Sequence, residues 1–323
     1  MRIAVAGSIA TDHLFTFQGR FADSLLLEQL SHVSLSFLAS DLQIRRGGTG
    51  ANIAFGMGVL GHRPLLVGAV GEDAKDYLGW LQDHGVDTTN VHVSGTRASA
   101  RFTCTTDTDH SQIATFYPGA MVEAADIDIA GLGELDLVVV APDDPGAMVR
   151  HTASCRARGV PFAADPSQQL AYLDGAAIRG LIGGATFLFS NEYEAGLVHE
   201  KTGWNHEDVL DLVGTRIITH GAGGIAIYRK GEPELRVPVA PARQIAEPTG
   251  VGDAFRAGFL TSTAWGLSPE RCAQVGALVA TYVVETIGTQ EYSFSSEGFL
   301  GRFAAAYGDA ATAEVAAHLG TDR

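Results

Sequence analysis

The stretch Glu247-Pro-Thr-Gly-Val-Gly-Asp-Ala-Phe-Arg-Ala-Gly-Phe-Leu260 runs a turn-forming Pro-Thr-Gly-Val-Gly directly into a helical pattern that begins at Asp253. Glycines let a backbone take angles closed to other residues and approach a ligand closely. The amides of Gly250, Val251 and Gly252, at the start of a helix, are expected to form an anion pocket suited to charge developing on a transferring phosphoryl group. Asp253 has two readings of equal weight on local sequence: a helix cap, or a base that takes the proton of a hydroxyl nucleophile beside the pocket. Arg256, three residues along the same helix and hence on a neighbouring face, is read either as a phosphate contact or as a structural arginine.

Working outward, short apolar runs at 3–6, 65–68, 137–141, 161–164, 187–189 and 216–219 read as strands, and 52–60, 74–84, 145–158 and 191–199 read as helices. This alternation predicts an α/β fold, a doubly wound and mainly parallel sheet with helices on both faces. Residues 224–229 and 234–238 give a hairpin signal at a sheet edge, and the chain from Asp253 onward is helical and alanine-rich. Two segments, about 14–46 and 97–118, break the rhythm. In the second, 101–106 and 112–116 read as strands around an acidic turn, so both segments are expected to form a small β-sheet lid inserted in one domain spanning 1–323.

Composition narrows the function. A formal net charge of -15 over 323 residues argues against a nucleic-acid partner, which needs a basic face. The three cysteines, Cys104, Cys155 and Cys272, are widely spaced without a CxxC pattern, so they read as buried thiols rather than a disulfide framework or zinc site. No apolar run approaches the ~18 residues of a membrane helix and no leader is evident, so a cytoplasmic protein is expected. GxxxxGK[ST] and the protein-kinase motif set are both absent.

Several residues carry further chemistry. Asp12 follows the first strand, where ligands gather in parallel sheets; with Asn52 and the Gly48 backbone it is suited to hold adjacent hydroxyls. Asn191 and Glu194 open a helix, which reads as a cap with an acidic first turn. Phe102 and Phe116, on the lid strands, offer faces on which a base can stack. Gln112, Gln168 and Gln169 carry amides that match the donor and acceptor edge of adenine. Each of these also has an ordinary core or surface reading.

GVGDAFRAGF resembles the C-terminal signature of the ribokinase (PfkB) carbohydrate kinase family, and other landmarks follow in order over residues 1 to about 290. These are Gly7 to Asp12, Gly47-Gly48 with Asn52, the stretch 70–87, Asn191-Glu192-Tyr193-Glu194, and Thr219 to Gly224. The resemblance implies an ATP-dependent kinase with Asp253 as base and Gly250, Val251 and Gly252 as anion hole. It further implies that Asn191 and Glu194 order Mg²⁺ near the phosphates, and that Thr219, Gly221 and Gly224 bind the nucleotide. The family usually has Asp at position 247, beside a monovalent-cation site; Glu247 departs from this and leaves potassium dependence undecided.

GSIATDHL, SLSFL, ARFTCTT, QIATFYPGAM, FAADPSQQLA, PTGVGDAFRAGFL and GTQE resemble a branch of that family, the actinobacterial, mycobacterial-type adenosine kinases. That closer likeness implies phosphoryl transfer to the 5'-hydroxyl of adenosine in purine salvage. Ser8, Asp12, Ser36, Gly48 and Asn52 would surround the ribose, Phe102, Phe116 and Gln169 would meet the base, and two copies would pair through the lid. The alternatives are a ribokinase or fructokinase acting on a free sugar, and a non-catalytic nucleoside-binding protein.

Overall fold

The structure, a computed structural model, describes residues 1–24 and 36–319; residues 25–35, inside the first expected lid segment, lie outside it. Its main sheet has nine strands in the order β13-β12-β11-β10-β9-β8-β1-β4-β5. They are β1 (Ile3–Ala6), β4 (Leu65–Gly71), β5 (Val91–Ser94), β8 (Leu137–Val140), β9 (Phe162–Ala164), β10 (Phe187–Asn191), β11 (Thr215–Thr219), β12 (Ile225–Tyr228) and β13 (Leu235–Val237). All neighbours are parallel except at the β11-β12-β13 edge, the expected hairpin.

The central strands are buried on both faces, which is why they read as unbroken apolar runs. In β1, Ile3 and Val5 enter one core while Ala4 and Ala6 enter the other; Leu137 and Val139 of β8 against Val138 and Val140 repeat the division. The first core is covered by α2 (Thr49–Val59), α3 (Lys75–Asp83), α8 (Val251–Ala264), α9 (Pro269–Val284), α10 (Ser296–Tyr307) and α11 (Asp309–Ala316). The second is covered by α4 (Pro145–Arg158), α5 (Gly175–Ile182), α6 (Glu192–Thr202) and α7 (His206–Leu210). The three cysteines are free and buried, and among the described residues no helix is long and apolar enough to cross a membrane.

A second sheet, in the order β3-β2-β6-β7, is the lid. It consists of β2 (Ala10–Phe17), β3 (Ala39–Gly47), β6 (Ala100–Thr106) and β7 (Gln112–Tyr117), with the short α1 (Phe21–Ser24) following β2. β6 and β7 fall where the sequence predicts them. β2 and β3 were not legible as strands because β3 is exposed along most of its length and β2 is only half-buried, so neither shows an apolar alternation.

Candidate active site

The expected site residues gather at the carboxyl ends of β1, β8, β9, β10 and β11 and at the N-termini of α2 and α8, the usual ligand side of an open parallel sheet. Gly250 takes φ 76° as the residue that opens α8, and no side chain caps that helix. The Val251 amide makes a long bond to the Pro248 carbonyl at 3.4 Å, and the rest of the first turn offers amides to an anion. The walls are tight: a Cβ on Gly250 would lie 2.8 Å from Thr289 Cγ2, and one on Gly252 would lie 2.8 Å from Arg256 Nη1.

Asp253 is the third residue of α8, in its first turn, and not its cap. Its Oδ2 accepts a hydrogen bond from Asn52 Nδ2 at 2.8 Å. Burial pushes its pKa up to about 6, with the Asn52 hydrogen bond and the Arg256 charge pulling it down and Glu194 pushing it up. A carboxylate poised near neutrality can take a proton from a hydroxyl at working pH.

Asn52, buried in the first turns of α2, is itself held. Its Oδ1 lies 3.0 Å from Thr289 Oγ1 and 2.9 Å from Gln290 Nε2, while Gln290 Nε2 also donates to Tyr77 Oη at 2.6 Å. Tyr77 Oη donates in turn to the carbonyl of Gly47, the last residue of β3, at 2.7 Å. Thr289, Gln290 and Tyr77 were missed as functional residues by sequence reasoning; the GTQE stretch marked a resemblance without a role.

Arg256 is 6% exposed and forks onto Asp165, at the end of β9, with Nε–Oδ2 and Nη2–Oδ1 both 2.6 Å. Of these two contacts, Nη2–Oδ1 is the hydrogen bond and Nε–Oδ2 is an ion-pair contact, and together they hold the buried guanidinium against Asp165. The third nitrogen, Nη1, lies against Gly252 of the anion pocket. Asp165 is a fourth residue that the sequence did not single out. Glu194 lies 4.0 Å from Arg256 Nη2 and forms a reciprocal capping box with Asn191, each backbone amide bonding the other's side chain at 2.8 Å. Asn191 and Thr219 are register neighbours on β10 and β11, and beyond Thr219 the turn carries Gly221 (φ 54°) and Gly224 (φ 91°). A Cβ on Gly224 would meet the Val237 carbonyl at 2.5 Å, so that corner requires glycine.

On the acceptor side, Ser8 Oγ receives the Thr49 amide at 3.1 Å, and Gly48, with φ 92°, leaves no room for a Cβ against Ser8 and Ala10. Asp12 pairs in register with Arg45 on β3 and Phe102 on β6, and Phe102 pairs with Phe116 on β7. Directly paired residues share a face, so Asp12, Phe102 and Phe116 form one row across the lid. Burial, followed by the neighbouring Glu247, pushes Asp12 up to about 6, against the opposing charge of Arg45.

The remaining expected residues are less central. Gln112 pairs with Thr106 at the other end of β7, four residues from Phe116, and reaches Thr106 Oγ1 at 3.4 Å. Ser36 is exposed just ahead of β3. Gln168 is exposed and its Oε1 lies 2.9 Å from Ser167 Oγ, whereas Gln169 donates from Nε2 to the Asp143 carbonyl at 3.0 Å and so has Oε1 left as an acceptor.

Two ions can be tested against these side chains. Among the described residues no cluster of three or more His, Cys, Asp or Glu forms a metal cage. The single carboxylate of Glu194 suits Mg²⁺ that keeps its waters and is held chiefly by nucleotide phosphates. At Glu247 a monovalent cation is disfavoured at Oε2, which already accepts from Arg45 Nη1 at 2.8 Å and from the Gly288 amide at 2.9 Å, two donors that repel a cation.

Comparison with known proteins agrees with this geometry. Residues 19–296 match the pfkB family carbohydrate kinase profile. The nucleoside kinase of Burkholderia thailandensis, solved in complex with inosine and with ADP-inosine, superposes with a TM-score of 0.84 at 34% identity for the inosine complex, covering 95% of this chain and 98% of that one. The nucleoside kinase of Methanocaldococcus jannaschii is 27% identical over 291 residues, 90% of this chain and 92% of its own length. The ribokinase of Bacillus subtilis is 26% identical over 271 residues, 78% and 86% of the two chains. With a small second β-sheet beside the main one, and with the family profile spanning most of its length, the chain belongs to the pfkB family carbohydrate kinases and is an ATP-dependent phosphotransferase.

Proposed function

We propose that the chain is a nucleoside kinase that transfers the γ-phosphoryl group of ATP to the 5'-hydroxyl of adenosine, giving AMP and ADP. The observation that carries this reading is the row Asp12, Phe102 and Phe116 on one face of the lid. A carboxylate suited to ribose hydroxyls is followed in line by aromatic faces suited to a base, which a free sugar does not use. Two nucleoside kinases among the relatives point the same way.

In this reading Asp253 deprotonates the acceptor hydroxyl while the amides of Gly250, Val251 and Gly252 receive charge spreading over the phosphoryl oxygens. Arg256, held by Asp165, offers Nη1 to the same group. Asn191, Thr219, Gly221 and Gly224 receive the nucleotide. Mg²⁺, when bound, would neutralise phosphate charge, and Glu194 would be the side chain that holds it. Ser8, Gly48 and Asn52 line the ribose with Asp12, and Gln169 turns an acceptor oxygen toward amino groups of a base; Ser36, Gln112 and Gln168 lie further out. The protein acts in the cytoplasm and pairs with a second copy through the lid. The lid's opposite face supports that pairing, since Leu42, Ile44, Ile113 and Tyr117 stand exposed on it.

The test is one phosphoryl-transfer assay with ATP and Mg²⁺ against adenosine, inosine, ribose and fructose. The highest kcat/KM is expected for adenosine. Inosine ahead of adenosine keeps the nucleoside reading and moves the base preference; ribose or fructose ahead of both makes the chain a sugar kinase. Binding of adenosine without turnover makes it a nucleoside-binding protein.

A further inference from the structure

The hydrogen bond from Asn52 to Asp253 depends on which way the Asn52 amide is turned. An amide can be flipped end for end with little change in shape, and only its neighbours decide the orientation. Here the Oδ1 end faces donors, Gln290 Nε2 at 2.9 Å and Thr289 Oγ1 at 3.0 Å. The Thr289 hydroxyl has a single hydrogen and also lies 3.0 Å from the Arg46 carbonyl, so it is shared. Gln290 Nε2 has two hydrogens with two acceptors in reach, Asn52 Oδ1 and Tyr77 Oη, and Tyr77 spends its own hydrogen on the Gly47 carbonyl. Every donor along this line has one consistent direction. Reversing Asn52 would put its oxygen 2.8 Å from the Asp253 carboxylate and an NH₂ against the Gln290 NH₂.

Gln290 is 1% exposed and Asn52 6%, so water does not substitute for these partners. A buried amide left facing the wrong group loses its hydration without a compensating hydrogen bond, which is enough to set its orientation.

We propose that Gln290 is a positioning residue for catalysis: through Asn52 it keeps a donor turned toward Asp253, so that Asp253 stays ionised and aimed at the acceptor hydroxyl. This rests on the reading of Asp253 as the base. Gln290 touches neither substrate nor Asp253, and Thr289 and Tyr77 support it. The line ends at Gly47, where β3 leaves the lid, so the base is referenced to the lid's own anchor. Without the donor, the carboxylate holds its proton more tightly, and the enzyme needs a higher pH to reach the same rate.

The test compares the pH dependence of kcat/KM for adenosine in the wild type and in Gln290→Met, which keeps the volume and removes the donor. The wild-type profile is expected to rise through about pH 6. In Gln290→Met the rise should move up by about one pH unit, a loss of about fivefold at the wild-type midpoint that approaches about tenfold at lower pH and shrinks at alkaline pH, with KM for ATP unchanged. A purely structural glutamine predicts an equal loss at every pH.

Added to Asp253→Asn, Gln290→Met should cost nothing further, because both changes act through one group. If Asp253→Asn alone has near-normal turnover, the base reading fails. If Asp253→Asn is crippled while Gln290→Met keeps the wild-type pH profile, the base stands and this inference is overturned. Should Gln290→Met fail to fold, the wild type still decides: the Asn52 side-chain NH₂ resonances must titrate with the midpoint of the activity profile, and resonances that stay fixed overturn the proposal.

Discussion

Asp253→Asn should make the protein both slower and more stable. The kinetic part follows from the loss of a base, roughly 10²- to 10⁴-fold in kcat. The stability part follows from burial. Asp253 has a folded pKa of about 6 against the ordinary carboxyl value of 3.8, a difference that corresponds to about 3 kcal/mol of disfavoured ionisation. Its edge lies open to the cleft, which reduces this to about 2 kcal/mol. Losing a favourable charge at a helix N-terminus opposes the gain by about 0.3 to 1 kcal/mol, so the net sign is stabilising. For a chain of this length the gain amounts to an increase in Tm of about 2 °C.

The pH dependence fixes the sign independently. Because the folded pKa is raised, the folded state binds the proton more tightly than the unfolded chain between the two values. Wild-type stability therefore falls as pH rises from about 3.8 to about 6. The Asn variant does not titrate there, so its advantage should be full above that window and vanish below it. Calorimetric melting of both proteins across the window, alongside an ADP-release assay, measures both arms. An Asn variant that turns over normally and melts lower would make Asp253 a helix residue with no part in the chemistry.

Glu194→Gln should raise the Mg²⁺ concentration needed for half-maximal rate while leaving adenosine affinity unchanged. Gln still accepts from the Asn191 amide and keeps the capping box, so the stability cost should be only the lost helix-dipole charge, about 0.3 to 1 kcal/mol; an unchanged magnesium titration removes the metal role. Phe102→Ala and Phe116→Ala should each weaken adenosine binding by about 1 to 3 kcal/mol, roughly 5- to 150-fold, and spare any turnover of ribose. Calorimetry showing no change in adenosine affinity would leave both phenylalanines as lid packing. Replacing potassium with tetramethylammonium at constant ionic strength should leave the rate unchanged, because Arg45 and the Gly288 amide occupy the Glu247 carboxylate; a saturable potassium activation would refute that reading.

The sequence by itself determined the central sheet and the glycine turn that opens α8. Parallel strands buried on both faces must be apolar throughout, so 3–6, 65–68 and 137–141 could be read directly. A glycine turn feeding a helix likewise has local causes, and Asp253 stands in that same turn. Tertiary structure alone decided the rest. β2 and β3 are strands because they pair with each other and with β6, and their exposed side chains carry no periodic signal. Arg256 was legible as a cation but not as the partner of Asp165, which lies 91 residues away in the chain. Gln290 reaches Asn52 across 238 residues and Arg45 reaches Glu247 across 202. Hydrogen bonds and ion pairs act over a few ångströms of space, and no spacing within the chain encodes them until the fold brings the two ends together.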